Sequence, residues 1–376
     1  MTVVDLFKKC QTFFLVQGLL GYVFIISGLI VNFLQLCSLV VWPFSRQLYR
    51  KINCRLATLI WSQLTFLNQW WSYSDCVLYI DPKDLEYLKH EHSICLTNHK
   101  YPIDWLLGWV IAQRIGLLGG SKIVGKKSLS QLPIVGWTWM FTESIFLKRV
   151  WETDKNILYE DVQRILGDYP KDYYFNFLMT CEGTRFTEKK RVESMKVAKE
   201  KGLPELKHHI LPRTKGFTLI MQGAKGKISG VYNFTLAFTP DSAPPLLTTL
   251  IKGQACKAEC YIKRIPVTEI PYEDEKKCAE WLHKLFQEKD QIYDYFDKHK
   301  TFEGLDLPKV YVPRNYNDLI IELFWTIVIG IPSIFLLIRF LWTSSLTAQI
   351  IFLVIVIASI MGVRRMIDVA TIKKEQ

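Results

Sequence analysis

The sequence has no CxxC pair, no dinucleotide fingerprint of the GxGxxG kind, no nucleotide-binding phosphate loop and no GxSxG nucleophile elbow. These absences argue against a zinc ribbon, a dinucleotide-dependent oxidoreductase, a nucleoside triphosphatase and a serine hydrolase. Its nine cysteines are odd in number and scattered, which points to free thiols in a reducing compartment. Cys256 and Cys260 lie four apart with no partner ligands nearby, so no metal site is expected. No internal repeat or low-complexity linker divides the chain. Charge, too, is missing over long stretches: none occurs from Cys10 to Ser45, and Arg339 alone interrupts Leu323 to Val363.

Those uncharged stretches exceed the roughly 20 apolar residues that a membrane-spanning helix needs. The first follows Lys8 and Lys9 as in a signal peptide, but it is too long and has no small-residue cleavage site, so it reads as an uncleaved anchor. Trp342-Thr343-Ser344-Ser345 makes a turn between two further spans. Arg46, Arg50, Lys51 and Arg55 behind the anchor place the following segment in the cytosol, and Arg364, Arg365, Lys373 and Lys374 agree at the other end. Leu56 to Tyr73, with Trp61, Trp70 and Trp71, is expected in the membrane interface. The net charge of +11 fits lipid headgroups and an acidic substrate better than nucleic acid in such a chain.

Between the apolar ends, Thr97-Asn98-His99-Lys100-Tyr101-Pro102-Ile103-Asp104 sets a His and an Asp five positions apart across a proline. On a continuous helix they would stand about 140° apart, so a bend must bring them together. Ser93 to Leu96 reads as a strand and Trp105 to Ile115 as a helix, which puts the pair on a strand-to-helix turn. There the helix dipole would keep Asp104 ionised, and Asp104 would hold one ring nitrogen of His99, leaving the other free to take a proton. This is the base and orienter of a catalytic triad without a serine, so the attacking hydroxyl could come from a substrate. A His and an Asp in an ordinary loop share the spacing, and the pair alone does not decide.

Strands are expected at Asp75 to Asp81 (closed by Asp81-Pro82), Lys122 to Val124, Ser144 to Leu147, Tyr173 to Met179, Val231 to Phe238 and Glu259 to Ile265. Helices are expected at Glu152 to Gly167, with Ile157 on its apolar face, at basic Lys189 to Lys201, and at Asp274 to Lys298. Lys148-Arg149 at a strand end and Cys181-Glu182-Gly183-Thr184-Arg185 at another have the chemistry of an anion site, and a solvated strand end and an ordinary Gly turn are the competing explanations. Asn233-Phe234-Thr235 matches a glycosylation acceptor that stays unmodified on a cytosolic segment. Alternating strands and helices predict one α/β domain over 75–300, between a membrane anchor with an interfacial helix (1–74) and a segment with two membrane helices and a cytosolic tail (301–376).

Four blocks in one order, Asn98-His99 with Asp104, Phe146-Leu147-Lys148-Arg149, Glu182-Gly183-Thr184-Arg185 and Leu211-Pro212-Arg213, resemble the glycerolipid acyltransferase family. Trp137-Thr138-Trp139, Cys181 to Thr187 and Leu211 to Phe217 look like the gamma and delta branch of its 1-acylglycerol-3-phosphate acyltransferases. Thr180-Cys181 stands where many members carry Phe-Pro. The resemblance implies a mixed sheet with flanking helices, and transfer of an acyl group from acyl-CoA, as co-substrate, to the sn-2 hydroxyl of lysophosphatidic acid. It implies no further cofactor, and a multi-pass home in the endoplasmic reticulum membrane with the catalytic domain cytosolic; the tail Lys373-Lys374-Glu375-Gln376 looks like a dilysine retrieval signal. On this reading His99 is the base and Asp104 its orienter. Lys126, Arg149 and Arg185 hold the acceptor phosphate, and Glu182, Gly183 and Thr184 shape the turn beside it. Another lysophospholipid acceptor, such as lysophosphatidylinositol or lysocardiolipin, and acyl-CoA hydrolysis are the alternatives.

Overall fold

Period-two apolar runs in this chain become strands of one mixed sheet, and the longer amphipathic segments become helices on both its faces. The computed structural model describes residues 3–372. The helices are α1 (Val3–Thr12), α2 (Phe14–Ser38), α3 (Arg46–Phe66), α4 (Pro82–His90), α5 (Asp104–Arg114), α6 (Val135–Phe141), α7 (Trp151–Gly167), α8 (Glu188–Glu200), α9 (Thr214–Gly223), α10 (Leu247–Ile251), α11 (Glu275–His299), α12 (Asn317–Trp325), α13 (Ile331–Thr343) and α14 (Leu346–Ile372). The strands are β1 (Asp75–Tyr79), β2 (Ser93–Thr97), β3 (Ser121–Lys126), β4 (Ile145–Leu147), β5 (Asn176–Met179), β6 (Gly230–Phe238), β7 (Lys257–Pro266) and β8 (Lys309–Val310), ordered β4-β3-β5-β2-β6-β7-β1-β8. From β4 to β6 all neighbours are parallel; β7 runs antiparallel to β6, and β8 to β1. The expected mixed sheet with flanking helices is therefore present.

Alternation along the strands assigns the two faces. Ile94, Leu96, Phe177 and Met179 join the core built with Leu158, Val162, Ile165, Phe217, Ile220, Leu282 and Phe286 of α7, α9 and α11. Cys95, Thr97 and Leu178 face α5 across a cavity of about 40 Å³. Behind α5 stands α3, where Trp61 stacks on Trp109 at 4.7 Å. Leu56 to Tyr73 thus corrects the interfacial expectation: Ala57, Ile60, Trp61, Ser62, Gln63, Thr65, Asn68, Gln69 and Trp71 are buried within the protein. Several polar members of this stretch meet partners: Gln63 bonds Ser27, while Gln69, Trp70 and Thr65 all donate to Asp318 at 2.6–3.2 Å. Asn233, central in β6, is 2% exposed and so beyond the reach of a glycosylating enzyme in the folded chain.

The anchor has two unlike sides. Ser27, Asn32, Gln35 and Ser38 are buried, with Asn32 donating to Thr138 of α6 at 2.9 Å, whereas Leu29, Phe33, Leu36 and Val40 are exposed. Phe14–Val41 and Asn317–Thr343 are each long and apolar enough to cross a membrane. The chain falls into two units, Met1–Leu323 and Phe324–Gln376. Within the second, α13 and α14 meet at Ser344–Ser345, inside the expected turn, and Phe340 packs on Phe352. The dilysine-like tail and the side chains of Ile157, Arg364 and Arg365 lie outside the described residues.

A close backbone approach fixes how α3 meets the sheet. A Cβ on Gly119 would lie 2.3 Å from the Cys54 carbonyl oxygen, and one on Gly120 only 2.0 Å from that of Tyr174. Both obstacles are backbone and cannot rotate away. Gly120→Ala is expected to destabilise the protein by about 3 kcal/mol, as severe overpacking does. A thermal midpoint unchanged from wild type would contradict this.

Candidate active site

Parallel strands end on the same sheet edge, and loops leaving that edge gather what the sequence separates. β2 delivers His99, β5 delivers the turn from Thr180 to Arg185, β4 delivers Arg149 and β3 ends at Lys126. Asn98 locks the first loop, since its side chain both donates to the Leu236 carbonyl and accepts from the Leu236 N–H, at 2.9 and 2.8 Å. Asp104 then begins α5. Its Oδ2 accepts from the Lys100 and Tyr101 backbone N–H groups at 2.7 and 2.8 Å and lies 3.3 Å from His99 Nδ1. The proline-broken bend does bring His and Asp together.

Their surroundings differ. The Asp104 side chain is almost wholly buried, on the wall of the apolar cavity under α5, while that of His99 is about a quarter exposed. Burial pushes the Asp104 carboxyl above its ordinary range, and the His99 ring and the two backbone donors pull it back. Asp104 stands in the first turn of α5, as the sequence predicts, and burial is the largest influence on its carboxyl. With Nδ1 donating to Asp104, Nε2 of His99 is free to accept a proton from a group in the open part of the site.

The turn after β5 folds under the His99 loop, with the Phe186 N–H donating to the His99 carbonyl at 2.7 Å. Gly183 closes it at φ +68°, and its N–H donates to the Thr180 carbonyl at 3.0 Å. A side chain at Gly183 would be strained and would collide with Arg213, whose Cδ and Nε would be 2.9 Å from the added Cβ. Glu182 points inward and is 2% exposed. Burial pushes its carboxyl well above the usual range; Lys289 pulls it down and Asp104 pushes it further up.

Cations crowd the mouth of this turn. Burial and the neighbouring Arg213 guanidinium both pull Arg149 below its ordinary value. Lys190 is pulled down by burial and then by Arg185 and Arg149, while its ammonium donates to Thr184 Oγ1 at 2.7 Å and to the Arg185 carbonyl at 3.2 Å. Arg149, Arg185, Lys190 and Arg213 thus bring four positive side chains together at one turn. Arg149 itself sits at φ +67°, and Asp154 of α7 holds that bend by accepting from the Lys148 and Val150 N–H groups at 2.9 and 3.1 Å. Lys126 pairs with Leu147 across the β3–β4 ladder, two positions before Arg149. It shares the edge but is exposed and outside this group.

Sequence reasoning missed Asp154 and Lys190 as parts of this site, and it valued Arg213 only as a motif residue. Lys190 looked like one more charge on a basic helix. A signal existed for Asp154, an acidic residue in a first helical turn directly after the two strand-end cations.

Comparison with known proteins shows the family. The acyltransferase family model matches residues 80–235, and the model of the acyltransferase C-terminus matches 249–325. The chain is an acyltransferase. It is 46% identical over 372 residues to the 1-acyl-sn-glycerol-3-phosphate acyltransferase delta of Bos taurus, covering 99% of this chain and 96% of that one. It is 43% identical over 364 residues to the gamma enzyme of Homo sapiens, covering 97% and 95%. The crystal structure of the 1-acyl-sn-glycerophosphate acyltransferase PlsC from Thermotoga maritima is similar with a TM-score of 0.42 at 14% identity, over 73% of this chain and 95% of that one. The chain belongs to the glycerolipid acyltransferase family, in its gamma and delta branch.

Proposed function

We propose that this protein moves a fatty acyl group from acyl-CoA to the sn-2 hydroxyl of 1-acylglycerol-3-phosphate, giving phosphatidic acid, at a membrane surface. The observation that carries the reading is the His99–Asp104 pair standing beside the Arg149, Arg185, Lys190 and Arg213 cluster. His99 Nε2 takes the proton from the acceptor hydroxyl as its oxygen attacks the thioester carbonyl carbon. The C–S bond then breaks, the ester forms, and the imidazolium returns its proton to the departing thiolate. Asp104 keeps the ring in the right tautomer and stabilises the imidazolium while it lasts. No acyl-enzyme is required.

The phosphate of the acceptor would lie among Arg149, Arg185, Lys190 and Arg213, with Lys126 at the rim. Gly183 and Thr184 shape the turn, and Glu182, facing inward, stays away from the anion that it would repel. Both substrates carry long chains, so a site near the interface avoids passing them through water. The exposed apolar side of α2 and the helices Asn317–Thr343 and α14 would provide that anchorage. The basic flanks favour the cytosolic side for the catalytic unit, and the family resemblance favours the membrane of the endoplasmic reticulum.

Purified protein in nanodiscs, offered labelled acyl-CoA and a panel of lysophospholipids, tests the acceptor. Phosphatidic acid should dominate; preference for a lysophospholipid with a larger headgroup would move the substrate. Arg185→Ala should raise the KM for 1-acylglycerol-3-phosphate about 10-fold, the loss of one charged contact to phosphate. Its KM for acyl-CoA should stay within about twofold. An equal rise in both would assign Arg185 to the structure of the turn.

A further inference from the structure

An amphipathic helix should present mainly apolar groups to the core it covers, and α11 breaks that rule at two adjacent buried positions, Lys289 and Asp290, of which Asp290 is bonded to His209. Its buried stripe of Leu282, Leu285, Phe286, Tyr293 and Phe296 includes Lys289, which is 0% exposed. The Lys289 ammonium donates to the backbone carbonyls of Leu96 in β2 and Phe234 in β6, at 3.2 and 2.5 Å. These are neighbouring parallel strands, paired Leu96 with Asn233 and Thr97 with Phe234. Leu96 lies three residues before His99, and Phe234 two before Leu236, which Asn98 grips from the other strand. The strand ends that carry His99 are thus joined twice, by the Asn98 side chain and by Lys289.

Lys289 has a second neighbour of consequence. Both carboxylate oxygens of Glu182 are buried and make no hydrogen bond of good geometry, and Lys289 is the strongest influence favouring the charged form of that group. Asp104, the partner of His99, acts on Glu182 in the opposite sense. Two buried carboxyl groups therefore influence one another on this side of the site, and Lys289, bonded to the strand ends, acts on Glu182 from beyond ion-pair contact. The same helix reaches the loop again at Tyr293, whose ring carries Lys100 Nζ at 4.3 Å and whose hydroxyl lies 3.4 Å from that of Tyr101. An ammonium in this stripe is expensive to bury, and a Met or Leu there would pack without that penalty.

We propose that Lys289 is a positioning residue for acyl transfer: it fixes the strand ends from which His99 projects and balances the charge of Glu182 beside Asp104. The inference rests on the acyl-transfer reading above. It makes the C-terminal part of the chain, residues 249–325, a partner in the chemistry of the part that carries His99.

The test uses the full chain in nanodiscs with acyl-CoA and 1-acylglycerol-3-phosphate. Lys289→Met keeps the stem and removes the charge and the donors. It should lower kcat per folded molecule about 10-fold or more while both KM values stay within about twofold. The double variant Lys289→Met/Glu182→Gln removes both charges, and it should recover much of the lost kcat, because buried groups that act on one another electrostatically are not additive. If Lys289→Met alone does not fold, the double variant carries the test against Glu182→Gln: it should match that single variant within about threefold. A Lys289→Met enzyme with kcat within twofold of wild type, a parallel change in kcat and both KM values, or multiplying losses in the double variant would overturn the proposal. A wild-type protein with no His99-dependent transfer would overturn the acyl-transfer reading, and the role of Lys289 with it.

Discussion

His99→Ala is expected to lower acyl transfer by about 10²–10⁴-fold, the range of a general base that moves a proton in the transition state. The protein should remain folded and membrane-bound. Among the described residues the His99 ring has one hydrogen-bond partner, Asp104, and that carboxylate keeps its two backbone donors when the ring is gone. The KM for acyl-CoA should change little, because the imidazole meets the reacting hydroxyl rather than the donor. Turnover close to wild type in a purified, monodisperse variant would remove His99 from the chemistry.

Asp104→Asn should cost slightly less, about 10²–10³-fold, because the geometry separates orientation from charge. All three groups around Asp104 converge on Oδ2, and Oδ1 is buried without a partner. An asparagine with its oxygen at the Oδ2 position would keep the two backbone bonds and still accept from His99 Nδ1, so the ring keeps its tautomer. What disappears is the negative charge that stabilises the imidazolium. The buried amide nitrogen left at the Oδ1 position would lower stability by about 1–3 kcal/mol. Asp104→Ala, which loses orientation as well as charge, should fall below Asp104→Asn in kcat. Equal values for the two variants would mean that charge alone matters.

Local chemistry made much of this molecule readable. A strand, a proline and a helix around His99 and Asp104 define a turn whatever the rest of the chain does, and the structure closes it with a 3.3 Å contact. Other signals carry more than one meaning. The strand does close before Asp81-Pro82, since β1 ends at Tyr79, but the same pair also starts α4: the Asp81 carboxylate accepts from the Lys83 N–H at 2.8 Å, and a proline suits the first helical turn. Strand β8, only Lys309–Val310, is too short for any periodicity to mark. The tryptophans of Leu56 to Tyr73 suggested an interface because aromatic content alone does not say whether lipid or protein covers it; the Gln63, Gln69 and Asp318 contacts show protein. Arg213 and Lys190 meet the strand-end arginine only after long stretches of chain have folded, and no local spacing encodes that meeting. Lys289 did leave a trace, as an ammonium at a position in register with Leu282, Leu285, Phe286, Tyr293 and Phe296.

The most direct measurement follows the fate of the labelled acyl group from acyl-CoA on the purified protein in nanodiscs, with and without 1-acylglycerol-3-phosphate. Phosphatidic acid should form only with acceptor present, one CoA thiol should be released per ester made, and both should vanish with His99→Ala. Free fatty acid released at the same rate without acceptor would show that water, not a lysophospholipid hydroxyl, is what the His99–Asp104 pair activates.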